Sequence, residues 1–147
     1  MHCYIWRDKV EKFIKTQFNA DIKNVMLSRA IVASFFIDEN IALNIINEVK
    51  TIVSEAVTNA IIHGYNSDNK KEVTLNIFLY DNTLIIEVLD EGIGIADLER
   101  AKEPLYSSKN SEERAGLGFT IMEIFSDNME IDTKVNEGTK LRITKYI

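Results

Sequence analysis

The chain has one cysteine, Cys3, so no internal disulfide holds it and a reducing cytoplasm is the expected setting. It has one proline, Pro104, and six glycines, so interruptions are few and each marks a junction. No apolar run approaches the ~20 residues of a membrane-spanning helix. The opening "MHCYIWRDKV" lacks the sustained apolar stretch and small-residue cleavage site of a secretory leader. Basic residues are in the minority, 17 Lys and Arg against 23 Asp and Glu, and the net charge of −6 argues against a nucleic-acid-binding surface. A nucleotide stays admissible, because backbone amides and a metal can hold its phosphates. Two histidines and a cysteine far apart offer no zinc spacing. Repeats, low-complexity tracts and linkers are absent.

What is present describes one globular domain. At 147 residues, with 46% hydrophobic and 27% charged, the chain is long and apolar enough to bury a core. "FIKTQF" (13–18) alternates as a first strand, and "NVMLSRAIVASFF" (24–36) has helical spacing. Asp38 is placed to cap a long helix through "ENIALNIINEVKTIVSEAVTNAIIH", whose apolar stripe runs from Ile45 to Ala60 and which Gly64 ends. "KEVTLNIFLY" and "TLIIEVLD" form a strand pair around the Asp81-Asn82 turn. The polar segment 95–115 is too long for an ordinary connection and is expected to form a lid. "GFTIMEIFSDNM" (118–129) is a helix opening on glycine, and "EIDTKV" and "TKLRITKYI" close a last hairpin around 136–138. This order predicts an α+β two-layer sandwich, a mixed and mainly antiparallel sheet with helices on one face.

Three groups of residues carry chemistry. Glu55 and Asn59, four apart on the long helix, share its edge beside the buried stripe, where a carboxylate can take a proton and an amide oxygen can bind a hard cation. A solvated helix edge is the commoner explanation for that pair alone. Asp90 ends a strand in "VLDEGIGI", where a carboxylate can accept from the exocyclic amine of adenine while Gly92 and Gly94 let backbone approach a flat base. Asp and Gly are also ordinary turn residues. In "RAGLGF", Gly116 and Gly118 open a helix whose free amides suit phosphate, and Arg114 lies just upstream with a guanidinium fork. A glycine loop beside a solvated arginine reads the same way.

The order is more specific than any one group. "SEAVTNAIIHGY", "DEGIGI", "EPLYSSK" and "AGLGFTIMEIFSD" resemble the GHKL ATP-binding superfamily and, within it, the anti-sigma-F factors of sporulating bacteria, which are protein serine kinases. The resemblance implies a Bergerat-type ATP-binding domain over 13–147, with a lid at about 96–117 and an N-terminal extension at 1–12. It makes Glu55 the general base for a serine hydroxyl, Asn59 the Mg²⁺ ligand and Asp90 the adenine-binding acid, in a pocket shaped by Gly92 and Gly94. Arg114 meets the γ-phosphate, Gly116 and Gly118 lie at the phosphates, and Thr139 lies near the adenine. Ser107, Ser108 and Lys109 belong to the lid, and Arg29 sits on a helix that binds partners.

The expected function is that of an anti-sigma factor. It sequesters a sporulation sigma factor and phosphorylates its STAS-type anti-anti-sigma antagonist on serine, cycling ATP and ADP with Mg²⁺. The expected form is a cytoplasmic homodimer with no direct nucleic-acid or membrane contact. Two alternatives stay open: a histidine-kinase-type catalytic domain, although no phosphoacceptor-histidine helix is present, and a non-catalytic ATP-dependent sigma-binding module. A mismatch-repair-type ATPase would need a second domain that this length cannot hold.

Overall fold

The computed structural model describes residues 7–104 and 117–147. Its core is a five-stranded sheet in the order β1 (Lys12–Asn19), β2 (Glu72–Tyr80), β3 (Thr83–Asp90), β5 (Gly138–Tyr146), β4 (Asn128–Lys134), and each pairing is antiparallel. Alternation decides which side is apolar. The register aligns Ile14, Ile77, Ile86, Ile143 and Met129 in one row across all the strands. One step along the same face, Leu75, Val88, Leu141 and Ile131 form the next row. A third row ends that face with Asp90, Thr139 and Thr133. The acid of the glycine-rich motif therefore belongs to the core side of the sheet, at the point where the apolar rows stop.

Helices α1 (Asn24–Phe35), α2 (Leu43–Asn59) and α4 (Gly118–Phe125) cover that side, with α2 between the other two. Val49, Ile52, Val53, Ala56 and Val57 of α2 are buried against Val32, Phe35 and Met122 and the sheet rows. The expected α+β sandwich is what forms, its sheet antiparallel throughout. The other face is polar at its centre. There Glu87 is 3% exposed and is held by Arg142 at 2.9 and 3.1 Å and by Lys140 at 3.5 Å. Burial by itself would raise the Glu87 pKa; the Arg142 hydrogen bonds and the Lys140 and Arg142 charges outweigh it and hold it below the usual value.

Element boundaries differ from the sequence expectation at three places. The long helix starts at Leu43 with Ala42 as its N-cap, not after Asp38. The Glu39 amide donates to the Phe36 carbonyl and the Ile41 amide to the Glu39 carbonyl, a turn that leads into extended Ala42, so helical bonding begins only there. The helix at 118 stops at Phe125, because the Asp127 amide donates to the Thr144 carbonyl (2.9 Å) and draws 128 and 129 into the sheet. A four-residue helix, α3 (Leu98–Ala101), capped by the Asp97 carboxylate on the Arg100 amide, lies in the segment read as lid. The rest of that segment, 105–116, is outside the described residues. The Asp81-Asn82 hairpin forms as expected, with positive φ at both residues (45° and 56°). Among the described residues, no helix is long and apolar enough to cross a membrane.

Candidate functional site

At its C-terminal end α2 does not stop cleanly. Residues Ala60–Gly64 form a π-turn, closed by the Tyr65 amide on the Ala60 carbonyl at 3.0 Å, which adds one residue and drops Gly64 beside the end of β3. A Cβ on Gly64 would stand 2.7 Å from Asp90 Oδ1, so only glycine leaves space for the carboxylate. The Gly64 carbonyl accepts from the Ile93 amide at 2.9 Å, and a Cβ on Gly92 would stand 2.0 Å from that same oxygen. The loop after β3 is thereby laid directly on the helix end.

A cavity of about 490 Å³ opens above this junction, of the size that takes a small-molecule ligand. Asn59 and His63 line it from the helix side, Asp90 and Val88 from β3, and Thr139 and Leu141 from β5. Gly94, Ala96 and Asp97 line it from the loop, and Gly118 and Phe119 from the start of α4. The lining is mainly apolar with few polar groups. Among the described residues two acids line it, Asp97 in the loop and, at the end of β3, Asp90. Burial is the main reason the Asp90 pKa rises from 3.8 to about 6, against the opposing hydrogen bonds from the Gly92 and Thr139 amides. The Gly92 amide donates to Oδ1 at 2.9 Å.

Beside it, the Thr139 hydroxyl lies 2.9 Å from that of Thr133. Thr133 Oγ1 also accepts from the Ile95 amide at 2.9 Å, so one threonine ties the β5 end of the cavity to the loop.

Five of the sequence-derived residues, Asn59, Asp90, Gly94, Gly118 and Thr139, thus meet in one cavity wall. Gly92 packs beneath them. Glu55 does not line the cavity; it is half-buried on α2 one turn, about 6 Å, before Asn59. Arg29 is elsewhere, on α1, where its Nη1 donates to Ser54 Oγ at 2.8 Å and to the Lys50 carbonyl at 3.2 Å. Arg114, Ser107, Ser108, Lys109 and Gly116 lie outside the described residues. Sequence reading missed Gly64, Tyr65 and Thr133; the "HGY" that ends the long helix, directly before a polar turn, was the available signal for the first two.

The donor set also bears on a metal. Among the described residues no group of three or more His, Cys, Asp or Glu is placed to hold an ion without help. Asn59 offers a hard amide oxygen on the cavity wall. That suits Mg²⁺, which commonly takes one or two protein ligands and completes its shell with phosphate oxygens and water.

Comparison with known proteins places these features in context. Residues 18–145 match the family described as histidine kinase-like ATPase domain. The anti-sigma F factor of Geobacillus kaustophilus (strain HTA426) is 44% identical over 131 residues, which is 89% of this chain and 90% of that protein. The anti-sigma F factor of Bacillus subtilis (strain 168) matches at the same identity and coverage. Among solved structures, the RsbU and RsbW domains of a Mycobacterium tuberculosis protein align with a TM-score of 0.67 at 19% identity, over 92% of this chain and 32% of that one. The catalytic domain of histidine kinase ThkA aligns with a TM-score of 0.56 at 14% identity, over 90% of this chain and 95% of that one. At such identities the two structures speak for the fold alone.

Proposed function

The chain belongs to the anti-sigma F factors of the histidine kinase-like ATPase family, and from that premise we propose that it binds a sporulation sigma factor and phosphorylates the sigma factor's antagonist on serine. It is an anti-sigma factor with a kinase-like, nucleotide-binding ATPase domain. The observation that supports the finer reading best is the half-buried Asp90 carboxylate in the wall of a mainly apolar cavity of about 490 Å³. A mainly apolar cavity suits a purine ring, and a carboxylate in its wall suits the ring's exocyclic amine.

In this reading Glu55 accepts the proton of the substrate serine hydroxyl. The serine oxygen forms a bond to the γ-phosphorus as the bond from that phosphorus to the β-γ bridging oxygen breaks, and ADP leaves. Such transfer depends mostly on positioning and charge neutralisation, which a small domain can supply. Asn59 would hold Mg²⁺, which neutralises phosphate charge when bound. By the family resemblance, Arg114 would serve the γ-phosphate, Gly116 and Gly118 the phosphate oxygens, and Ser107, Ser108 and Lys109 would be the lid residues. Thr139 and Asp90 hold the base.

The partner-binding part rests on α1. Ile22 just before it, Met26 and Leu27 on it and Ile37 just after it are exposed at 52%, 69%, 44% and 79%. An apolar row of that kind suits a protein partner, either the sigma factor or a second copy in a homodimer. Phosphorylation adds charge to the antagonist's docking surface and releases it, so the kinase and binding activities oppose each other through one surface. The residues before Lys12, where β1 begins, would be an N-terminal extension of the family domain, and the protein would act in the cytoplasm.

The test mixes the protein with γ-labelled ATP, Mg²⁺ and the antagonist encoded with it. Alkali-labile, acid-stable label on an antagonist serine is expected. Label on a histidine of this chain would instead make it a histidine-kinase-type domain, and no transfer at all would leave a non-catalytic sigma-binding module.

A further inference from the structure

Tyr65 follows the π-turn and is 8% exposed. Its hydroxyl has both hydrogen-bonding roles filled by backbone: it donates to the Glu72 carbonyl at 2.7 Å and accepts from the Glu91 amide at 2.7 Å. Glu91 is the residue directly after Asp90. The phenol therefore joins the first residue of β2 to the chain at the point where β3 ends. The Gly64 carbonyl pins Ile93 two residues further on. Asp90 is thus bracketed, with the Thr139 partner across the sheet on one side and the "GY" dipeptide on the other. Burial is the main cause raising the Tyr65 pKa, with the Asp90 charge adding to it and the Glu91 amide opposing it, so the phenol stays protonated and able to donate at neutral pH.

We propose that Tyr65 is a positioning residue for purine selection: by fixing the Glu91 amide it sets the direction in which the Asp90 carboxylate meets the exocyclic amine of the base. The proposal rests on the reading of Asp90 as the base-binding acid. It makes a demand that a general packing role does not. Loss of the hydroxyl frees the backbone beside Asp90 but leaves the apolar cavity and the phosphate-binding elements untouched. Recognition of the amine should then suffer, while binding of the rest of the nucleotide should not.

The experiment measures dissociation constants for ATP and for purine riboside triphosphate, which has the same ring, sugar and phosphates but no 6-amino group. Wild-type protein, Tyr65→Phe and Asp90→Asn are compared, with melting temperatures taken alongside. For Tyr65→Phe, ATP affinity is expected to fall about fivefold to tenfold, as when a buried donor and acceptor lose their partner, while affinity for the analogue stays within about twofold. Equal weakening of both ligands, or unchanged discrimination, would overturn the proposal. Asp90→Asn separates the two layers: it should abolish the preference for ATP, and an Asp90→Asn protein that still prefers ATP as wild type does would overturn the Asp90 reading itself. Tyr65→4-aminophenylalanine keeps the donor to the Glu72 carbonyl but accepts poorly from the Glu91 amide, so it should lose the preference as Tyr65→Phe does. It also provides the comparison if Tyr65→Phe does not fold; a folded amino variant with the full wild-type preference would count against the role.

Discussion

Asp90 shows what one side chain costs and supplies. Its pKa is raised to about 6 because burial penalises the charge more than the Gly92 and Thr139 amides compensate it. An amine donor on a base prefers the ionised carboxylate. ATP affinity should therefore fall as pH drops through 6, with a slope approaching about tenfold per pH unit, measured by calorimetry between pH 5 and 8. A flat profile would mean the carboxylate does not meet the base. The sign for stability runs the other way. Between about 4 and 6 the folded chain holds a proton on Asp90 that the unfolded chain has released, so the nucleotide-free protein loses stability as pH rises through that window. Asp90→Asn should accordingly raise the melting temperature of the free protein at pH 7 while weakening ATP binding. Glu55 carries a separate expectation: Glu55→Ala should keep nucleotide affinity and lower serine phosphorylation at least about a hundredfold, the range of general-base loss. Transfer at the wild-type rate would remove Glu55 from the mechanism.

Between elements, side chains that reach backbone set the spacing of the helical layer. Arg29 clips α1 to α2 at Ser54, the residue before Glu55. Arg29→Ala should destabilise the fold by about 1 kcal/mol, the worth of a typical hydrogen bond, and loosen partner binding with it. Denaturation in urea reads the first and a sigma-factor pull-down the second. Lys145 does comparable work at the other end of the layer. Although it is on the core face of β5, its amine donates to the Phe125 carbonyl at 2.5 Å and pairs with Glu48 at 2.7 Å, joining α4 and α2 to the sheet. Because the lysine side chain is 8% exposed but that of its partner Glu48 is 29% exposed, Lys145→Ala should cost about 1.5 kcal/mol, the lower end for hydrogen bonds to a charged group. A change below about 0.5 kcal/mol would show that the pair contributes no net stability.

Across the whole molecule, the cavity is walled by α2, β3, β5, the loop after β3 and α4, so a ligand there joins parts far apart in sequence. At one hundred times its dissociation constant a nucleotide should stabilise the fold by about 2.7 kcal/mol, a rise of roughly 5–10 °C in melting temperature. Scanning fluorimetry with and without a chelator adds the metal: removing Mg²⁺ should shrink the ATP shift, and an unchanged shift would take the ion out of the binding event.

The amino-acid order by itself determined the sheet strands, their hairpins and the character of the site. Period-two apolar patterning permits only one register with the core on one side, and Asp81-Asn82 names its own turn. It also placed Asp90 and Asn59, because a carboxylate at a strand end and an amide on a helix edge are visible in one dimension. The tertiary structure decided the rest. Asp38 lost the helix start because residues 36–41 close a turn and Ala42 is extended, and residues 128 and 129 became strand because β5 supplied their partners. Gly64, Tyr65 and Thr133 joined the site through contacts between segments distant in the chain. Their worth lies in hydrogen bonds of 2.7 to 2.9 Å to backbone that no local pattern encodes.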